Sequence, residues 1–294
     1  MIKKIGVIGA GRAGASFVLA FGTSKIRDAG FHLCGATTKT GVHAMEASHY
    51  LGVTVHTDNQ KLASEADILL IAVPDRKILE IAESLRESLG EYDPSVAATP
   101  KTFLHVSGAV GMDSLRPLVD GGYSCGSLHP LQSFPTPKNR FSGIYMAVDG
   151  DAQAVQIGKS LSGLIGATPF HVPAEERQLY HAAACFCSNY VVTAVNIAEE
   201  LLARWVGKDG NALSALMPLL MGTADNLTQT RTAREALTGP ISRGDTETIR
   251  GHLQVLPEEL KQVYCVLGAE TIKIAIDNGT IDEEIAKTMS ALFK

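Results

Sequence analysis

From residue 4 to residue 172 the chain alternates short apolar runs with stretches in which apolar residues recur every three or four positions; after Pro173 the short runs stop. Alternation at this spacing commits a chain to βαβ units, and so to a mostly parallel sheet with helices on its faces. The expected strands are KIGVIG (4–9), FHLCGAT (31–37), VTVH (53–56), ADILLIAVP (66–74), TFLHVSG (102–108), SCGSLH (124–129), GIYMAVDG (143–150) and TPFHV (168–172). ADILLIAVP is almost wholly apolar, as a strand buried on both faces must be. Helices are expected over 12–29, 41–52, 75–90, 112–120 and 151–166. The segment 174–206 reads as one long helix that starts with acidic residues and stops at Gly207. Its apolar middle predicts that other helices surround it. Further helical patterns cover 211–229, 245–254, 257–278 and 282–293. The expectation is an α/β domain over 1–172 followed by an all-α domain over 173–294.

Composition narrows the function classes. The chain is 45% hydrophobic and 19% charged, with a net charge of −5, and it has no run of Lys and Arg interleaved with aromatics. That argues against nucleic acid as a partner. Five cysteines with no C-x-x-C pair argue against a disulfide framework and against a structural metal site, so no metal is expected. No apolar stretch reaches the length of a membrane span, and glycines interrupt the N-terminal run too early for a signal peptide. A cytoplasmic protein without a membrane partner is the expectation.

GVIGAGRAG places Gly9, Gly11 and Gly14 in G-x-G-x-x-G spacing. The motif is weak alone, but here it follows a strand, opens a helix and begins the βαβ pattern, which is the context a dinucleotide site requires. Gly9 permits the tight turn, Gly11 lets the backbone approach a pyrophosphate, and Gly14 lets helix and strand pack closely. Ala10, Arg12 and Ala13 complete the loop, and the helix N-terminus supplies amide donors for phosphate. Between Gly30 and Glu46 there is no carboxylate to hold ribose hydroxyls, whereas Thr38 and Lys39 suit a 2′-phosphate. NADP is therefore expected over NAD. Val73, Pro74 and Asp75 end the fourth strand and are expected along the cofactor, because ligands of open α/β sheets lie beyond the carboxyl ends of the strands.

The same edge collects the candidate catalytic groups. Ser107 ends the fifth strand. The sixth strand runs into SLHPLQSFP, where Pro130 and Pro135 would hold His129, Gln132 and Ser133 over a cleft. On the long helix His181, Ala184, Cys185, Ser188 and Val192 share a face, with Asn189 beside it. A histidine can exchange a proton near neutral pH, and Asn189 can orient a carbonyl or hydroxyl. His105 reads as an inward, packed histidine, Cys185 and Cys187 as small packing residues. Arg243, in LTGPISRGD, is either an anion binder or a surface residue.

The segments GVIGAGRAG, ADILLIAVPD and the helical second half resemble the 6-phosphogluconate dehydrogenase-like superfamily, which includes ketopantoate reductase and pyrroline-5-carboxylate reductase. HVSGA, GSLHPLQSF, YHAAACFCSNY and LTGPISRGD more specifically resemble Rossmann-like proteins with a C-terminal domain of unknown function 2520. The His-Pro at 129–130 is similar to that of prephenate dehydrogenases. The resemblance implies NADP binding, a helical second domain of the 6-phosphogluconate dehydrogenase C-terminal type used for homodimerisation, and a cleft between the domains. The chain departs from the hydroxy acid and ketopantoate enzymes, whose long helix carries a Lys with an Asn four residues on; His181 and Cys185 stand there instead. The expected function is an NADP-dependent reductase of a small carbonyl or imine substrate, with His181 or His129 as proton donor and Asn189 and Ser107 as positioning groups. The competing expectation is a non-catalytic NADP-binding sensor or scaffold.

Overall fold

The computed structural model describes residues 2–138, 140–206 and 211–294; the helix stop expected at Gly207 lies outside them. Strands β1 (Lys3–Ile8), β2 (Phe31–Thr37), β3 (Val55–His56), β4 (Ile68–Ile71), β5 (Thr102–His105), β6 (Ser124–Pro130), β7 (Tyr145–Gly150) and β8 (Thr168–His171) form one sheet in the order β3-β2-β1-β4-β5-β6-β7-β8. Its first six strands have the 3-2-1-4-5-6 order of a doubly wound dinucleotide fold. All neighbours pair in parallel except β6 and β7, where His129 sits opposite Ala147. His129 is thus a strand residue, as expected, and its backbone position is fixed by the ladder, which runs on to Pro130.

The helices are α1 (Arg12–Phe21), α2 (Ser24–Asp28), α3 (Gly41–Leu51), α4 (Asn59–Glu65), α5 (Ile78–Leu89), α6 (Arg116–Asp120), α7 (Ala152–Leu164), α8 (Arg177–Cys187), α9 (Asn189–Val206), α10 (Ala212–Gln229), α11 (Thr246–Val255), α12 (Glu258–Asp277) and α13 (Glu283–Leu292). Three expectations need correction. The helix expected over 12–29 breaks at Gly22–Thr23, where glycine ends α1 and a hydroxyl residue precedes α2. The helix α4 was not expected; Asp58 starts it by accepting from the Lys61 N–H at 3.0 Å. The long helix over 174–206 is a short 3₁₀ turn followed by α8 and α9, separated at Ser188 with φ −123° and ψ −72°. Ser and Asn side chains compete for backbone hydrogen bonds, so the Ser188–Asn189 pair is a natural place for a helix to end.

By compactness the chain divides into Met1–Val191 and Val192–Lys294. In the first unit the apolar alternation of each strand sends side chains into two layers. Leu70, Leu104 and Leu128 join Phe17, Phe21 and Phe141 on one side; Leu69, Ile71, Phe103 and Cys125 join Leu62, Ile78 and Leu85 on the other. Burial on both faces explains why ILLI in β4 is unbroken by polar residues. Each such Leu or Ile contributes about 1.5–3 kcal/mol of burial. In the second unit, Ile249, Ile272, Ala275, Ala286 and Met289 form a core among α11, α12 and α13. The expectation that other helices surround the apolar segment after 188 is not met within the chain: α9 has no buried residue and α10 has Ala212 alone. No helix among the described residues is long and apolar enough to cross a membrane.

Candidate functional site

The glycine-rich loop turns from β1 into α1. Gly9 has φ +94°, a left-handed conformation that only glycine adopts without strain, and a Cβ there would lie 2.6 Å from the Ala72 carbonyl oxygen. A Cβ on Gly14 would lie 1.9 Å from the Gly9 carbonyl oxygen, so this glycine is demanded by the packing of α1 on the strands. Gly11 differs: nothing lies within 4 Å of a Cβ built there. Packing among the described residues therefore does not explain Gly11, and the space over it is open to a ligand. No side chain caps α1, which leaves its first amide groups free to donate. The residues thus fit a dinucleotide pyrophosphate. Val73, Pro74 and Asp75 leave β4 beside this loop, Val73 being next to Gly9.

Beside the loop is a cleft of about 380 Å³ lined by Ala10, Gly11, Thr38, His43, Glu46, Tyr50 and Pro137, among others. Thr38 reaches it; Lys39 is exposed and is not part of the lining. Glu46 is, one turn into α3, although it lies beyond the segment where the sequence pattern looks for a carboxylate. The segment after β6 closes the cleft: Tyr50 donates to the Pro137 carbonyl at 2.9 Å, and the Lys138 N–H donates to Ser16 at 3.1 Å.

The second cleft, about 510 Å³, lies where β6 meets α8, within the first unit, and holds His129, Gln132, Ser133, Tyr180, His181 and Asn189. Cys185, Cys187 and Ser188 complete the helical wall. The structure thus brings His129, His181 and Asn189 together as the sequence suggests. It does not bring Ser107 to the lining. That hydroxyl is buried and accepts from the N–H groups of Ala109 at 3.2 Å and Val110 at 3.1 Å, which ties the turn after β5.

The two imidazoles face each other over Gly108. A Cβ on Gly108 would fall 2.7 Å from His181 Nδ1 and 2.8 Å from His129 Nε2. Only a glycine lets both rings approach there; their centroids are 6.1 Å apart with the planes at 76°. His129 Nδ1 lies 2.6 Å from the Tyr180 hydroxyl. Burial, then His181 and Arg177, push the His129 pKa down to about 4. His105 is fully buried, with its pKa down to about 3 through burial and Arg177. His181 Nδ1 and His105 Nε2 are buried without a hydrogen-bond partner.

Arg177 and Tyr180 are the residues that sequence reasoning missed. Arg177 is 1% exposed and donates to Ser127 at 2.7 Å and to the Ser107 carbonyl, so it joins the turn after β5 to the middle of β6. Arg177, Tyr180, His181 and Ala184 follow i, i+3, i+4, i+7, so the stripe that identifies His181 extends one turn back. Charge hid Arg177, since a guanidinium in a first turn ordinarily reads as solvated. Arg243 is exposed in the second unit. Among the described residues no three His, Cys, Asp or Glu side chains gather as metal ligands would.

A doubly wound sheet with a glycine-rich first turn and an imidazole-lined cleft at its strand ends, followed by a helical unit, defines a Rossmann-like two-part protein. The family models agree: a Rossmann-like domain matches residues 2–130 and a domain of unknown function (DUF2520) matches residues 144–271. The chain belongs to the Rossmann-like proteins that carry this C-terminal domain of unknown function. No curated protein sequence matches it. Among solved structures, protein TM1727 from Thermotoga maritima is 22% identical over 97% of this chain and 98% of its own, with a TM-score of 0.65. Protein BF3122 from Bacteroides fragilis, to which an NADP oxidoreductase activity is ascribed, is 20% identical over 92% of this chain and 98% of its own, at TM-score 0.70. A pyrroline-5-carboxylate reductase from Coxiella burnetii is 16% identical over 99% of each chain, at TM-score 0.60. At these identities the likeness is one of fold.

Proposed function

We propose that the protein is an NADPH-dependent reductase of a small carbonyl or imine compound. The observation that carries the reading is the meeting of His129 and His181 across Gly108, in a cleft at the strand edge that also bears the glycine-rich loop. Gly11 and the free amides of α1 would hold the pyrophosphate; Thr38 in the cleft lining, with Lys39 next to it in the chain and no carboxylate between β2 and Glu46, favours a 2′-phosphate over bare ribose hydroxyls, although Glu46 also lines the cleft and Lys39 does not. A bound nicotinamide supplies hydride; the chain supplies orientation and charge. His181 takes the place of the lysine of the hydroxy acid relatives and would give the proton; His129, Asn189 and Gln132 would hold the substrate. The folds it shares are those of proteins described as an NADP oxidoreductase and a pyrroline-5-carboxylate reductase, which supports the class without naming the substrate. The five free thiols suit a reducing setting such as the cytoplasm. A second copy of the chain, docked through α9 and α10, is part of the same reading.

The test is NADPH consumption with a panel of aldehydes, ketones, keto acids and cyclic imines. His181→Ala is expected to lower turnover at least about tenfold while leaving NADPH affinity alone, and His129→Ala to act mainly on KM. Reversed effects would exchange the two roles. Tight NADPH binding without turnover of any compound would favour the non-catalytic sensor, and equal affinity for NAD and NADP by calorimetry would remove the cofactor assignment.

A further inference from the structure

A neutral imidazole has one proton, and the partner on one ring nitrogen decides which nitrogen carries it. His129 Nδ1 has a single neighbour of this kind, the Tyr180 hydroxyl at 2.6 Å. Its ring and that of Tyr180 are set edge to face, with centroids 5.5 Å apart and planes at 86°. Tyr180 is held in turn by Phe170, whose ring centroid is 5.8 Å away. Nε2, on the far side of the ring, faces Gly108 and His181 at the cleft.

Two features decide the direction of the Tyr180–His129 bond. The titratable and charged groups around His129 are Tyr180, His181, the buried His105 and the buried guanidinium of Arg177, which forms no ion pair among the described residues. Burial comes first in disfavouring an imidazolium, and His181 and this cation, only partly balanced by Asp149 and Asp75, add to it, so His129 holds one proton at neutral pH. Burial pushes the Tyr180 pKa up to about 12, so its hydroxyl keeps a proton that needs an acceptor. The hydroxyl has no other hydrogen-bond partner in the described residues.

We infer that Tyr180 is a positioning residue: its hydroxyl donates to His129 Nδ1, holds the imidazole in the Nε2–H tautomer and turns that N–H toward the cleft. What the N–H is for rests on the reductase reading. There it would hold the substrate's carbonyl oxygen or imine nitrogen, as a donor and not as the proton source, which leaves protonation to His181. The tautomer itself does not depend on that reading.

Two-bond ¹⁵N–¹H correlation spectra of the ligand-free protein near neutral pH report the tautomer directly, with the His129 signals assigned by their loss in His129→Asn. The expected result is a pyridine-type Nδ1 and a protonated Nε2 in the native protein, and a mixture of tautomers in Tyr180→Phe. An Nδ1–H pattern in the native protein overturns the inference, and so does an unchanged pattern in Tyr180→Phe. If that variant does not fold, the native spectrum alone decides. With a substrate in hand, Tyr180→Phe is expected to raise KM in the same direction as His129→Ala, with kcat and NADPH affinity little changed. A native protein that turns over nothing would sink the reductase reading and leave the tautomer result standing.

Discussion

Of the three glycines in one loop, packing within the chain explains two. Gly9 and Gly14 are held by contacts within the chain, while the space over Gly11 is open to 4 Å. Substitution should separate these roles. Gly14→Ala forces its methyl into the Gly9 carbonyl and is expected to cost about 1–3 kcal/mol of stability, read as a lower denaturant midpoint. Gly11→Ala is expected to leave the midpoint of the free protein within about 0.5 kcal/mol and to weaken NADP(H) binding at least tenfold by calorimetry. Loss of stability in Gly11→Ala, with binding intact, would show that the loop serves packing alone. Gly108 belongs to the same logic, since it is the absence of a side chain that lets His129 and His181 share the cleft.

At the scale of elements, β5, β6 and α8 together bury two imidazoles around one guanidinium. The ordinary histidine pKa of 6.5 falls to about 3 for His105 and about 4 for His129 in the folded chain. The unfolded chain therefore binds more protons than the folded one below about pH 6.5, and acid favours unfolding. The stabilisation is complete above pH 6.5 and is lost as pH falls through 6.5 toward 4 and 3. Within that window each histidine costs up to about 1.4 kcal/mol per pH unit. Urea midpoints measured between pH 7.5 and pH 5 should fall with pH, and His129→Gln should flatten the slope. A midpoint that is level over this range would contradict the burial of neutral imidazoles. The break at Ser188 belongs to this scale as well: it ends α8 just after the face that carries Arg177, Tyr180 and His181, and it starts α9 with Asn189 at the cleft.

For the whole molecule, the second unit has a core among α11, α12 and α13 but leaves two long helices uncovered. Val192, Trp205, Leu213, Leu219, Met221 and Leu227 are exposed on α9 and α10, and exposed apolar surface of this kind marks interaction sites where it is contiguous. The proposed homodimer would bury these side chains, a self-complementary face being the common solution. Light scattering at micromolar concentration is expected to give twice the chain mass of 31.2 kDa. Leu219→Asp with Met221→Asp should shift the protein to the monomer. A native monomer would leave these helices without an explanation.

The succession of strands and helices, the glycine loop and the buried character of β4 were legible in the sequence because they follow from local periodicity and from backbone geometry that only certain residues allow. The stripe containing His181 was legible for the same reason, and so was the route of SLHPLQSFP to the cleft. Where the long helix breaks was not, because Ser188 and Asn189 only weakly oppose a helix and tertiary packing chose between them. The role of Arg177 was not legible either, since whether a guanidinium is solvated or clamped between a turn and a strand depends on residues fifty and seventy positions away. The Tyr180–His129 bond joins residues fifty-one apart and exists only because β6 and α8 pack together. Periodicity is a property of neighbours in the chain; the protonation and orientation of a side chain are properties of neighbours in space, and only the tertiary structure supplies those.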